Sequence, residues 1–177
     1  MKKQYIKQED DCACGLIAVM NHVIERDGEC SVKYKSPEFL ELFKKCGGGE
    51  NNGITCPRPA FSLFEIDFEE AAFLYPDFYV PSKDYERLII RKLREGKNVM
   101  FDLLTLHDPS WHHTVLIVEY KKSDKTFKII NAPQCEDTDN TYEYLTWEQL
   151  SRGFYKKDSE YMSDALRRSL LLTRFLF

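Results

Sequence analysis

Gln8 and Cys14 stand six residues apart in Gln8-Glu9-Asp10-Asp11-Cys12-Ala13-Cys14-Gly15, and the apolar run Leu16-Ile17-Ala18-Val19-Met20 follows at once. The run starts a helix, which puts Cys14 in its first turn. There the main-chain N–H groups and the positive end of the helix dipole favour a thiolate over a thiol. An amide side chain just upstream can donate to the oxyanion that forms when such a thiolate attacks a carbonyl. The pair therefore predicts nucleophilic chemistry on an acyl group. Cys12 is the rival thiol, but it lies four residues from Gln8 and is followed by alanine rather than glycine. Its expected part is that of a neighbouring thiol open to regulatory oxidation.

A thiolate nucleophile needs a base, and the base needs a partner that fixes its tautomer. His113 opens the β-rich run His113-Thr114-Val115-Leu116-Ile117-Val118, just after the polar loop His107-Asp108-Pro109-Ser110-Trp111-His112. Its ring can overhang the sheet edge there, with His112 and His107 as rivals. A hairpin centred near Lys122-Ser123-Asp124 brings position 113 opposite residues 131 to 135. Asn131 lies at that end, where its amide oxygen can accept from the histidine ring; Gln134 is the fallback. Trp111 and Asp108 are placed to border a substrate. His22, inside the first helix, is expected to be a surface or packing residue.

These groups must be held by helices in the first half and a sheet in the second. Leu16, Ile17, Met20, Val23 and Ile24 mark one helical stripe, ended by Asp27-Gly28. Ser36-Pro37 caps a second helix that runs to Cys46 and stops at Gly47-Gly48-Gly49. A third is predicted from Phe61 to Phe73, between Pro59 and Pro76. A fourth begins at Ser82-Lys83-Asp84, with Gly96 at its C′ position. Strands follow at Val99 to Leu104, His113 to Tyr120 and Thr126 to Ile130. Thr146-Trp147-Glu148-Gln149 has the spacing of a capping box, and Ser169 to Phe175 reads as a last strand. The order predicts an α+β fold, with N-terminal helices, the nucleophile helix among them, packed on a C-terminal antiparallel sheet. Specificity would lie in the loops 47 to 58, 74 to 82 and 132 to 145.

At 177 residues the chain is expected to form one domain spanning residues 1–177, large enough to bury a core without staples. A net charge of −4 offers no basic footprint for nucleic acid. No window approaches a membrane span, and Met1 to Asp10 lacks the apolar core of a signal peptide. The six cysteines are scattered without a Cys-x-x-Cys pair, so reduced thiols in a cytoplasmic protein, with no metal and no cofactor, are the expectation. Gly47 to Gly53 has neither the lysine nor the preceding strand of a phosphate loop.

The cysteine segment and the histidine strand together resemble the papain-like cysteine peptidases, and most closely the bacteriocin-processing peptidases that cut double-glycine leaders and their stand-alone relatives. The likeness covers Gln8 to Met20 and His113 to Pro133. It implies a papain-like fold and peptide-bond hydrolysis through an acyl-enzyme. Cys14 would be the nucleophile, His113 the general base, Asn131 the orienter and Gln8 the oxyanion donor. The sequence departs from the family pattern at Ala13, where Asp or Glu is usual, at Thr114, where an aromatic is usual, and at Ala132, which separates Asn131 from Pro133. There is no ATP-binding Gly-x-x-x-x-Gly-Lys-Ser/Thr motif of an exporter. Partners implied are a protein or peptide substrate. The same triad would also serve a glutamine deamidase or an acyl transferase acting on a protein, and the departures would suit a papain-like binding module without activity. Oligomeric state is not legible in the sequence.

Overall fold

The computed structural model describes residues 3–9, 12–50, 52–67, 69–70, 83–104, 112–131, 140–152 and 175–176. Helix α1 spans Cys14–Asp27, α2 Pro37–Lys45 and α3 Arg58–Leu63. A short strand β1 (Glu69–Glu70) precedes α4 (Lys83–Arg94), and β2 (Val99–Leu104), β3 (His112–Lys121), β4 (Thr126–Ile130) and β5 (Tyr142–Thr146) follow. The described chain closes with α5 (Trp147–Arg152) and β6 (Phe175–Leu176). The strands form one sheet in the order β1-β6-β2-β3-β4-β5, with every pairing antiparallel. The fold class is α+β. No helix among the described residues is long and apolar enough to cross a membrane.

Strand alternation explains how the sheet is covered. Met100, Leu116 and Ile130 join a core with Leu16, Ile17, Val19, Met20, Phe39 and Phe61 of the first three helices. Their neighbours Val99, Phe101, Val115, Ile117, Phe127 and Ile129 face the other way, onto Ile89 of α4 and Leu150 of α5. Both faces are buried, so β3 carries an uninterrupted apolar run instead of an alternating one. Helix α1 is buried from Cys14 to Ile24, which makes it an interior element on which the site is built.

Three sequence expectations change here. The third helix is a single short segment, Arg58–Leu63, because Pro57 and Pro59 start it early and the chain turns at Phe64 and Glu65, where Glu65 adopts a left-handed φ of 51°. Its predicted continuation gives way to strand β1, and residues 71 to 73 lie outside the described part. Strand β5 occupies Tyr142–Thr146, inside a stretch read as loop, where Tyr142, Tyr144 and Leu145 pair along β4. Of the predicted last strand only Phe175 lies in the described part; the strand found there is Phe175–Leu176, which sits between β1 and β2.

Candidate active site

The N-terminal segment is held along α1 by a polar residue inside an otherwise apolar helix. Asn21, fully buried, accepts from Ile6 N–H at 2.7 Å and donates to Ile6 C=O at 2.9 Å. Tyr5 donates to Glu25, and Lys3 pairs with the same carboxylate at 2.7 Å. The Tyr5 hydroxyl is accordingly pushed well above its ordinary value by burial and by Glu25. This clamp carries Gln8 to the end of β4. The sequence reading missed Asn21, although an amide amid Val19, Met20, Val23 and Ile24 signals a buried group in need of partners.

At the end of β4, Asn131 turns the chain through a left-handed φ of 59°, a conformation asparagine tolerates. Its N–H still pairs with Thr141 C=O at 2.9 Å. Its side chain meets Gln8: Oδ1 accepts from Gln8 N–H at 3.2 Å, and Nδ2 donates to Gln8 Oε1 at 3.2 Å. Gln8 Oε1 is thereby assigned, which fixes the other end of that amide as the donor, Nε2.

His113 reaches the same residue. Its Nε2 lies 2.6 Å from the main-chain oxygen of Asn131. A carbonyl only accepts, so the proton sits on Nε2 and the basic lone pair of the neutral ring is on Nδ1. The expected acceptor was the side-chain amide oxygen; the acceptor found is the main-chain carbonyl, because the left-handed turn leaves the amide with Gln8. The register Leu116↔Ile130, on the near side of a bulge between Ile117 and Glu119, sets Asn131 level with Val115. His113 and Asn131 are both buried, at 6% and 5% exposure.

Cys14 is the first residue of α1 and 8% exposed. The N-cap residue Ala13 has no side-chain cap to offer, and its carbonyl accepts from Ile17 N–H at 2.9 Å. The next residue, Gly15, faces Thr114, the residue after His113: a Cβ built at Gly15 would lie 3.9 Å from Thr114 Oγ1. Thr114 thus sits where a larger side chain would press on α1. That Cβ would also come within 2.7 Å of Ile54 Cγ1, so the absence of a side chain at Gly15 lets Ile54 seat beside the cysteine. Gly53 approaches Cys12 in the same way, its built Cβ 3.3 Å from Cys12 C=O, and Cys12 Sγ lies 3.8 Å from Glu50 C=O.

Gln8, Asn131 and His113 are therefore linked by hydrogen bonds, and α1 approaches β3 at Gly15 and Thr114, the residues that follow Cys14 and His113. The rival His107, the fallback Gln134, the substrate-bordering Trp111 and Asp108, and the side chain of His112 lie outside the described part. His22 is a packing residue, 8% exposed and 2.9 Å through Nδ1 from Asn98 Nδ2. It lines a separate cleft of about 540 Å³ with Glu25, Arg26, Glu65 and Asn98. That cleft is eight residues, roughly 12 Å, along α1 from Cys14. Among the described residues no group of three or more His, Cys, Asp or Glu is placed to hold a metal. No protein-family model matches the chain, and no curated protein matches it.

Proposed function

We propose that this protein is a papain-like cysteine peptidase that hydrolyses a peptide bond through an acyl-enzyme. Cys14 at the head of α1 is the nucleophile, and His113 takes its proton through Nδ1. The Asn131 carbonyl holds the imidazole in the Nε2–H form and favours the imidazolium that develops. Gln8 Nε2 donates to the oxyanion, and its aim is set by the Asn131 amide. The acyl-enzyme is then released by water, activated by the same histidine. The observation that carries the reading is the hydrogen-bonded chain Gln8–Asn131–His113, which joins the segment just before α1 to the ends of β3 and β4.

The test is exposure of the protein to a peptide mixture, with new termini and released ammonia both measured and Cys14→Ala as the control. New termini that vanish with Cys14→Ala are the expected result. Ammonia without new termini would move the assignment to a deamidase. Neither product, in a Cys14→Ala variant that binds the same partners as the wild type, would leave a binding module.

A further inference from the structure

Two cysteines outside the proposed site are brought together where the limbs of the connection between α2 and α3 converge. Cys46 ends α2, and its carbonyl accepts from both Thr55 N–H and Cys56 N–H at 3.0 Å. Gly47, in a left-handed φ of 83°, is so close to the returning limb that a Cβ there would lie 2.1 Å from Thr55 Oγ1. A main-chain hydrogen bond of this kind sets the two cysteine Cα atoms on the order of 5–6 Å apart, inside the range a disulfide spans without backbone movement. The thiols differ in access: Cys46 is fully buried and Cys56 is exposed. Burial pushes the Cys46 thiol up, against a hydrogen bond from the Ala60 backbone, and negative charge on Cys56 adds to the rise. Both are free.

We propose that Cys46 and Cys56 form a redox modification site, which a peroxide converts to an intramolecular disulfide. The exposed Cys56 thiolate attacks the peroxide O–O bond and, with one proton taken up, yields the sulfenic acid and one water. The Cys46 sulfur then attacks the Cys56 sulfur, the S–S bond forms, and the sulfenic oxygen leaves as a second water. Two thiols are oxidised by two electrons and one peroxide is reduced. The cross-link fixes the limb that carries Ile54 against Gly15 and Gly53 against Cys12. Its formation does not depend on the peptidase reading; its bearing on the cleft does.

The test uses the full chain as Cys14→Ser, so that the outcome is independent of the proposed nucleophile, treated with hydrogen peroxide and mapped by mass spectrometry with and without reductant. Cys46 and Cys56 fall between Lys45 and the next cleavable basic residue, Lys83, since Arg58 precedes a proline. The expected product is one tryptic peptide lighter by two hydrogens, with both thiols protected from alkylation until reductant is added. It should be accompanied by a reductant-reversible rise in Tm of roughly 5 °C. In Cys14→Ser/Cys56→Ser, Cys46 stays a thiol. Overoxidation of Cys56 beside an unmodified Cys46 thiol, or a bond from Cys56 to Cys12 or Cys30, would overturn the proposal.

Discussion

The ring of His113 gives its Nε2–H to the main-chain carbonyl of Asn131, not to its side chain, while the Asn131 amide turns to Gln8. One residue thus sets the tautomer of one group with its backbone and the aim of another with its side chain.

The two roles separate by mutation. Asn131→Gly keeps the left-handed turn and the carbonyl, so His113-dependent labelling of Cys14 by iodoacetamide should stay within about threefold of wild type, with stability lower by about 1 kcal/mol from the lost Gln8 pairing. Asn131→Val opposes the turn and should cost more than Asn131→Gly in both stability and labelling. Labelling lost equally in Asn131→Gly and His113→Ala would show that the side chain is the orienter.

Asn21 works at a distance by pinning Ile6. Asn21→Leu leaves the Ile6 N–H and C=O without their partner, at about 1–3 kcal/mol for each unsatisfied group. Urea unfolding should show a loss of about 2–6 kcal/mol for the two groups together, and amide exchange across residues 5 to 9 should quicken while β3 stays protected. Unchanged exchange in that segment would mean the clamp is not Asn21.

Gly15 is expected to show a change of sign. In the wild-type background Gly15→Ala forces Ile54 aside, an overpacking cost of about 1–3 kcal/mol that outweighs the roughly 1 kcal/mol of helix propensity gained. In an Ile54→Ala background the obstruction is gone, and the same substitution should stabilise by about 1 kcal/mol. A double-mutant cycle with no coupling would remove Ile54 from the neighbourhood of Gly15.

His22 supplies a pH dependence away from the site. Burial, followed by the nearby Arg26 charge and opposed by Asp27 and Glu25, lowers its pKa to about 4. In the unfolded chain it titrates near 6.5, at about the ordinary value. Between about pH 6.5 and 4 the unfolded state binds a proton that the folded state refuses. The stability is therefore fully present above this window and is lost as pH falls through it, by on the order of 3 kcal/mol. Urea midpoints at pH 7 and 4.5 should diverge for the wild type and converge for His22→Gln.

The fold was legible where one signal dominated. The helix at Cys14, the capped start at Ser36 and the hairpin around residues 122 to 125 each carry a period or a turn that local chemistry dictates. Strand β5 was not, because Tyr142 and Tyr144 face outward and only Leu145 is buried, so the alternation is weak without knowledge of β4. The short strands β1 and β6 depend on pairings distant in sequence. Within the site, the meeting of His113 and Asn131 followed from the hairpin register, whereas that of Gln8 with Asn131 did not, because the spacing of Gln8 pointed only to Cys14. Which atom of Asn131 faces His113 did not, because a left-handed turn at a strand end decides it.

The most direct test of the central claim is the pH profile of iodoacetamide labelling across the six cysteines, mapped by mass spectrometry in wild type and His113→Ala. An activated Cys14 labels fast below about pH 7 and ahead of the other cysteines, and loses at least tenfold in rate at pH 6 without His113. Slow labelling of Cys14 that rises only toward about pH 8.5 and ignores His113 would contradict the account.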